Sequence, residues 1–458
     1  MKIPVFFLYD YVFPNFILPN ATPPEIGVIN YLHTLYSNKL RTESFFDINL
    51  ETPSSNMKMI FDEQLGTWPN SVQHNGSYFK NNCMHDLIDV IESSVYYGKK
   101  KGHKKYIYSI KVTPHFTKFT GKDWSGSKLN GEYFWKHISA EVLNDAKQGN
   151  ATILLEWCNE SVIDRGDFQS LNNALAHSGI PKNQIILVMN GLNSQKVYES
   201  WFPEITQQFL VRNISFLAHD ISHYYAHNPQ YRLTEETFSK SKDDIRKYHF
   251  TFPNRRNRPY RVRLLLNLYR DGLLEKGNWS LLSNIPDHAV EERFREFISM
   301  VPRNLEEEQG VEFFNVAGNQ DKSSAWNLSS YFYIASETFM DGEYKAFTEK
   351  VFKPLVNFQP FVFAAFPGAL EHLRNMGFKT FHPFIDESYD NEPRTDVRLE
   401  MLYHEVQKLC GMSKEELHNW YWQMEDILVH NHRHALTLYK YDDATYINFF
   451  RELGERCV

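Results

Sequence analysis

The sequence predicts an α/β protein with parallel sheets and more than one domain. Apolar runs such as "ATILLEW" (151–157) and "PFVFAAF" (360–366) are continuous rather than alternating, as expected for strands that are covered on both faces. Segments with helical periodicity separate these runs along the chain, which favours parallel pairing. With 458 residues, of which 42% are hydrophobic and 15% aromatic, the chain is long enough to build two cores.

A strand, a helix and a second strand are predicted in the N-terminal part of the chain. They are "ATILLEW", then "DFQSLNNALAHSG" (167–179), a helix that ends at Gly179, and then "NQIILVMNG" (183–191). The apolar start of the chain, residues 1–20, is interrupted by Asp10 and three prolines and is short for a bilayer span. We therefore expect a buried first strand there and no membrane span.

The C-terminal part repeats the alternation of helices and strands. The predicted order is helix, strand, helix, strand, helix, strand: "RVRLLLNLYRDGLLEKG" (261–277), "SSYFYIASET" (329–338), "TEKVFKPLVN" (348–357), "PFVFAAF" (360–366), "GALEHLRNMG" (368–377) and "KTFHPF" (379–384). A tail from about 395 is predicted to be helical. The polar segment 228–249 places the domain boundary near 245, with an elaborated N-terminal domain over 1–245 and a C-terminal domain over 246–458.

Composition and charge argue against several classes of protein. A formal net charge of −7 disfavours a bulk electrostatic affinity for nucleic acid, although a local basic patch such as "GKKKGHKK" (98–105) can still steer a DNA acceptor. The four cysteines include no Cys-x-x-Cys pair, which argues against a disulfide scaffold and a structural zinc site. We therefore expect free thiols in a reducing compartment, the cytoplasm.

Several common catalytic motifs are missing from the sequence. There is no Gly-x-x-x-x-Gly-Lys-Ser/Thr loop and no Gly-x-Gly-x-x-Gly, which disfavours a P-loop NTPase or a standard dinucleotide enzyme. The lack of Asp-x-Asp weakens the case for a metal-clamped diphosphate. The lack of His-Glu-x-x-His and Gly-x-Ser-x-Gly argues against a zinc peptidase or a serine hydrolase.

An arginine-rich segment, "FPNRRNRPYRVRLLLNLYR" (252–270), precedes and opens a predicted helix. A guanidinium matches two phosphate oxygens, and a helix N-terminus adds backbone N–H donors, so Arg255, Arg256 and Arg261 are candidates for a metal-free diphosphate cradle. The alternative is a solvated basic turn that makes salt bridges.

A second cluster combines carboxylates and lysines. Glu337 follows a predicted strand, and Glu349, Lys350 and Lys353 lie in the first turns of the next helix, where open α/β sheets bind ligands. A carboxylate there can accept hydrogen bonds from ribose hydroxyls, and a lysine supplies a positive charge for phosphate. The alternative is that Glu349 caps the helix dipole and pairs with Lys353 at i, i+4.

The segment "YFYIASETFMDGEYKAFTEKVFKPLVNFQPFVFAAFPG" (331–368) resembles the donor-binding segment of GT-B glycosyltransferases, especially fucosyltransferase and exostosin-like enzymes. In those, a strand ending in Phe-Glu-Asn-Ser leads to a Thr-Glu-Lys helix and an apolar strand ending in Pro-Gly. With "NRRNRPYRVRLLL" (254–266) and "GFKTFHPFIDESYD" (377–390), the pattern also looks like uncharacterised glycosyltransferase-type proteins of phages and large DNA viruses. The resemblance covers about 250–410. Ser336-Glu337-Thr338 departs from it, and the loop from Glu337 to Glu349 is slightly longer.

The resemblance implies two Rossmann-like domains with a cleft between them, and a hexosyl- or pentosyltransferase that uses a nucleotide-sugar without metal or cofactor. Glu349 would bind the ribose hydroxyls, and Lys350 with the arginines would hold the diphosphate. Glu337 would touch the sugar or the base. The acceptor would be a hydroxyl of a glycan, a protein or a modified nucleic-acid base, and a viral enzyme would act in the host cytoplasm. A nucleotide- or glycan-binding protein without catalysis is the alternative.

An inverting enzyme also needs a general base near the acceptor hydroxyl. Glu156 and Glu160, at the end of the predicted strand in "LLEWCNES", are the candidates. Two histidine groups are expected to be structural. His219, His223 and His227 share one helical face, a spacing that can ligate a metal, but no fourth ligand stands out and aromatic residues interleave, so a packed polar face is favoured. The group "HNHRH" (430–434) is expected at the surface.

Overall fold

The computed structural model describes residues 3–8, 46–51, 105–111, 140–157, 165–176, 178–214, 218, 221–222, 225–226, 229, 232–282, 284–285, 294–303, 327–341, 343–438 and 444–456. Two compact units are present: Met1–Leu217 with Lys440–Val458, and Ala218–Tyr439. The predicted boundary near 245, and the division of acceptor and donor roles between the two halves, stay predictions.

The first unit contains a six-stranded sheet in the order β2-β1-β3-β4-β5-β6, in which every neighbouring pair is parallel. Ile153, Leu154 and Leu155 of the fourth strand are fully buried, and so is the whole of the fifth strand. The prediction of continuous apolar runs in parallel strands is therefore confirmed. The elements, in chain order, are β1 (Ile3–Leu8), β2 (Phe46–Glu51), β3 (Tyr106–Lys111), α1 (Ala140–Gln148), β4 (Ala151–Trp157), α2 (Arg165–Ala176), β5 (Ile185–Met189), α3 (Ser194–Trp201) and β6 (Leu210–Asn213).

The second unit contains a four-stranded sheet in the order β10-β9-β7-β8, again with parallel pairs throughout. Its elements are α4 (Glu235–Lys240), β7 (Tyr248–Phe252), α5 (Pro259–Arg270), β8 (Gly277–Trp279), α6 (Arg295–Ser299), β9 (Ser330–Ser336), α7 (Glu349–Val356), β10 (Phe361–Ala364), α8 (Ala369–Asn375), α9 (Thr395–Gly411), α10 (Lys414–Trp422) and α11 (Glu425–Ala435). A last helix, α12 (Ala444–Glu455), belongs to the first unit. The predicted α/β class is confirmed, and the tail is helical as expected.

The order of the second sheet creates a switch point between β7 and β9. From β7 the chain runs through α5 to β8 on one side, whereas β9 lies on the other side of β7 and continues through α7 to β10. The connections after β7 and β9 therefore leave in opposite directions. In open parallel sheets a crevice forms at such a point, beyond the carboxyl ends of the strands.

Two predictions for the second unit differ from the observed elements, one in the end of a helix and one in the type of element. The helix expected over 261–277 ends at Arg270, because the chain turns at Gly272, with φ of 65°, before β8 begins at Gly277. The segment 379–384 is not a strand. The backbone N–H and C=O of Lys379 bond to the side chain of Asn431, and the N–H of Phe381 bonds to Glu387, so these groups are occupied without a neighbouring strand.

Candidate functional site

The predicted arginine cluster divides into exposed and buried members. Arg255 and Arg256 are exposed in the loop that follows β7, and Arg258 is the residue before α5. Pro259 occupies the first turn of α5, where its missing N–H costs no hydrogen bond. The guanidinium of Arg258 lies 6.0 Å from the ring centroid of Phe339, so the loop after β7 approaches the loop after β9.

Arg261 is buried and binds to the end of β9. Its Nε donates to Ser336 Oγ at 2.7 Å, and its Nη2 donates to the carbonyl oxygens of Ser336 and Glu337, each at 3.0 Å. The hydroxyl of Tyr260 also donates to the Glu337 carbonyl. The first turn of α5 is thus fixed to the carboxyl end of β9. The predicted contact of Arg261 with a diphosphate stays a prediction.

Glu337 is fully buried, and both oxygens of its carboxylate accept hydrogen bonds. Oε1 accepts from the N–H of Thr348 at 3.0 Å, and Oε2 accepts from Thr348 Oγ1 at 2.6 Å and the N–H of Thr338 at 3.1 Å. Burial raises the pKa of Glu337, while the nearby Lys350 ammonium and the Thr348 bonds act in the opposite direction. The predicted contact of Glu337 with the sugar or the base stays a prediction.

Thr348 is the N-cap of α7 and organises the two residues that follow it. Its Oγ1 accepts from the N–H of Lys350 at 3.4 Å and from Lys350 Nζ at 3.1 Å. Lys350 Nζ also contacts Glu349 Oε1 at 2.9 Å. The side chains of Glu349 and Lys350 are 12% and 23% exposed, so both remain accessible. Lys353, one turn later, is buried.

The loop between β9 and α7 is fixed by two further cations. Lys345 Nζ donates to the carbonyl of Pro367 at 2.9 Å. The buried Arg398 donates to the carbonyls of Met340 at 2.6 Å and Ala365 at 3.1 Å. Burial lowers the pKa of Arg398, and the acidic residues around it oppose that shift. These bonds connect the loop to residues that follow β10.

Thr348, Tyr260 and Arg398 were not among the predicted site residues. Thr348 carries a signal that could have been used, since a threonine directly before Glu-Lys and an apolar run is a typical N-cap. The roles of Tyr260 and Arg398 depend on carbonyl groups at positions 337 and 340, respectively, which no local pattern indicates.

The candidate general bases belong to the first unit. Glu156 lies in β4, between Lys111 of β3 and Val188 of β5, next to the last residue of the strand. Glu160 and the histidines at 219, 223 and 227 lie outside the described residues. The basic run 98–105 also lies outside them, except for Lys105.

The histidines of α11 are hydrogen-bonded to the backbone of other elements. His430 Nε2 donates to the Gly377 carbonyl at 3.0 Å, and His434 Nε2 donates to the Met376 carbonyl at 2.6 Å. The expected surface position is wrong for His432, which is buried with Nδ1 2.8 Å from the Val356 carbonyl. A helix covered by α7 must bury part of its polar sequence.

Among the described residues, no group of three or more His, Cys, Asp or Glu side chains is arranged to hold a metal ion. Within the same part of the chain, no helix is both long enough and apolar enough to cross a membrane.

Two solved structures are similar to this chain. One is trehalose-6-phosphate from E. coli bound with UDP-2-fluoro glucose, with 11% sequence identity over 99% of both chains and a TM-score of 0.42. The other is a UDP-forming α,α-trehalose-phosphate synthase from Burkholderia xenovorans, with 11% identity over 74% of this chain and 82% of that chain and a TM-score of 0.31. No protein-family model and no curated protein matches the sequence. With 11% identity and TM-scores below 0.5, these similarities carry no argument about function. A functional assignment therefore rests on the residues of the site.

Proposed function

We propose that this protein is a glycosyltransferase of the GT-B class that transfers a sugar from a nucleotide-sugar to a hydroxyl acceptor. One observation carries the proposal. The loop with Arg255 and Arg256 follows β7, and the turn with Glu349 and Lys350 lies beyond β9, so the two clusters flank the switch point of one parallel sheet. The arginines and Lys350 suit a diphosphate, and the Glu349 carboxylate suits ribose hydroxyls.

In this proposal the cations stabilise the leaving group. As the acceptor hydroxyl attacks the anomeric carbon, the bond to the diphosphate oxygen breaks and negative charge develops there. Arg255, Arg256 and Lys350 neutralise that charge, and Glu349 accepts hydrogen bonds from the ribose hydroxyls. Glu156 or Glu160, at or after the end of β4, takes the proton of the acceptor.

Ligand-induced stabilisation tests the donor site. UDP, GDP, dTDP and CMP, each alone and as its common sugar conjugates, are screened by thermal shift and calorimetry against the wild type, Arg256→Ala and Glu349→Ala. A ligand that binds only the folded protein raises its melting temperature. We expect one nucleotide to stabilise the wild type and to lose that effect in both variants.

Arg270→Ala is the matched control for Arg256→Ala. Arg270 is an exposed arginine in the last turn of α5, paired with Asp271, and it lies at the opposite end of that helix from the arginine loop. The Arg270→Ala variant should therefore bind the nucleotide as tightly as the wild type does. If no nucleotide binds in low salt, with or without a divalent metal, the glycosyltransferase proposal fails. Binding without hydrolysis or transfer would instead indicate the non-catalytic alternative.

A further inference from the structure

Glu337 connects the two sides of the proposed donor site. On one side, its carbonyl oxygen accepts hydrogen bonds from Tyr260 and Arg261 in the first turn of α5, directly after the arginine loop. On the other side, its carboxylate accepts from Thr338 and from the backbone and hydroxyl of Thr348, the N-cap of α7. A single residue thus contacts the elements that present both clusters.

A chain of hydrogen bonds leads from the Glu337 carboxylate to the ammonium of Lys350. Lys350 Nζ donates to Thr348 Oγ1 at 3.1 Å, and the hydroxyl proton of Thr348 is directed to Glu337 Oε2 at 2.6 Å. Because the Thr348 hydroxyl donates its hydrogen bond to the Glu337 carboxylate, the lone pairs of Thr348 Oγ1 face Lys350. The direction of this chain depends on Glu337 having no proton of its own to donate at Oε2.

The same contacts keep Glu337 away from a ligand. Its side chain is 0% exposed, and each carboxylate oxygen already has a donor within 3.0 Å. A sugar hydroxyl could reach it only by displacing Thr348 and opening the first turn of α7. The side chains of Glu349 and Lys350, by contrast, are partly exposed.

We propose that Glu337 is a positioning residue: it orients Lys350 through Thr348 and holds the start of α7 against the start of α5, without touching the sugar. This inference rests on the proposed function. It predicts that the loss of Glu337 weakens binding of the nucleotide itself, whereas a residue in contact with the sugar would affect only the conjugate.

Glu337→Gln is the first test. The amide keeps the size of the side chain but offers one acceptor oxygen, so at least one of the three donors from Thr348 and Thr338 loses its acceptor. The affinities of UDP, GDP, dTDP and CMP, and of the same nucleotides with a sugar attached, are measured calorimetrically well below the melting temperature. We expect the affinities for the nucleotide and for its sugar conjugate to fall by the same factor, about tenfold.

Asp390→Asn is the matched control, because Asp390 is another buried carboxylate that caps a helix. It accepts from the N–H groups of Leu370 and Glu371 at the start of α8. That helix follows β10, which lies on the side of β9 away from the switch point. Asp390→Asn should lower the melting temperature of the free protein and leave both nucleotide affinities unchanged.

Two variants at Thr348 and one at Tyr260 test the connections separately. Thr348→Val removes the hydroxyl and should reproduce the equal weakening, whereas Thr348→Ser keeps the hydroxyl and should restore binding to within about twofold. Tyr260→Phe removes one hydrogen bond to the Glu337 carbonyl and should also lower the affinities for the nucleotide and for its sugar conjugate. These variants remain informative if Glu337→Gln does not fold.

The outcomes distinguish the inference from the proposed function. If Glu337→Gln or Thr348→Val binds the nucleotide alone as tightly as the wild type but loses affinity for the conjugate, Glu337 acts at the sugar and the inference is overturned. It is also overturned if Thr348→Ser fails to restore binding. If the wild type binds none of the four nucleotides, the proposed function itself is wrong and the positioning role falls with it.

Discussion

His432 illustrates, at the scale of single residues, how burial changes ionisation. Its ring stacks on Phe358 with centroids 4.0 Å apart, and Nδ1 bonds to the Val356 carbonyl. Burial lowers the pKa of His432 to about 4, and the charges of Arg232 and Arg433 act in the same direction. The hydrogen bond to Val356 and the charge of Glu235 oppose this shift. In the unfolded chain the pKa is about 6.5. The folded protein therefore holds His432 neutral at a pH where the unfolded chain binds a proton.

This difference predicts a loss of stability in acid. Well above pH 6.5 both states are neutral at His432 and its ionisation has no effect on stability. As the pH falls through 6.5, only the unfolded state gains a proton, until the pH approaches 4. We expect the free energy of unfolding to fall by about 2 kcal/mol between pH 7 and pH 5 from this residue. Urea denaturation at several pH values between 7 and 5 measures this change in the free energy of unfolding.

His432→Gln is the control for the acid prediction. Glutamine retains a donor for the Val356 carbonyl but does not titrate in this range. The variant is expected to be less stable at pH 7 and to lose about 2 kcal/mol less than the wild type on going to pH 5. An identical pH dependence in both proteins would show that other groups cause the acid loss.

The sequence identifies which residue types can form the site, but not which of them are accessible. Arg261 and Glu337 were predicted as ligand contacts because of their type and position, and both are buried. Their burial depends on Ser336 and Thr348, which lie 75 and 11 residues away, respectively, in the chain. Glu349 forms an ion pair with Lys350, its neighbour in the chain, a partner that the i, i+4 spacing does not indicate. Only the folded arrangement decides between such partners.

At the scale of elements, β8 is positioned by a glycine. Gly277 pairs with Phe250 of β7, and a Cβ atom at Gly277 would lie 2.1 Å from carbon atoms of the Phe250 ring. Two carbon atoms cannot approach so closely, so the ring or the strand would have to move. We expect Gly277→Ala to lower the free energy of unfolding by about 1–3 kcal/mol, measured by urea denaturation.

Two comparisons show whether the contact with Phe250 is the cause. Gly411→Ala adds a methyl group at the end of α9 into open space, and should be neutral or stabilising by up to about 1 kcal/mol. In a Phe250→Leu background the smaller side chain leaves room, so Gly277→Ala should cost less than in the wild type. An equal cost in both backgrounds would mean that the backbone of Gly277, rather than the ring, is responsible.

Elements with a strong local signal were predictable. The strands over 151–157 and 185–189 follow from continuous apolar runs, and α7 follows from an apolar face behind Thr348 and Glu349. The segment 379–384 has only two phenylalanines as an apolar signal, and its backbone bonds to the side chains of Asn431 and Glu387, which lie later in the chain. Periodicity identifies a buried segment, but it does not tell whether its backbone finds a strand or a side chain as partner.

At the scale of the whole molecule, the end of the chain returns to the first unit. Helix α12 lies against β1, and its Glu452 forms a bidentate ion pair with Arg212 of β6, with N–O distances of 2.8 and 2.9 Å. These partners are 240 residues apart in the sequence. No local pattern indicates that α12 leaves the other C-terminal helices, and the helical tail was predicted to belong to the C-terminal domain over 246–458.

The Glu452 ion pair predicts a loss of stability that is confined to the first unit. Burial acts against ionisation of Glu452, but Arg212 and Arg456 lower its pKa overall. In Glu452→Gln the half-buried Arg212 loses its carboxylate, which we expect to cost about 1–3 kcal/mol. Hydrogen exchange should then be faster in peptides from β6 and α12 and unchanged in β9 and α7.

Lys240→Gln, which breaks the exposed pair with Glu236, is the control and should alter neither set of peptides. Faster exchange in both units would mean that they unfold as one cooperative body.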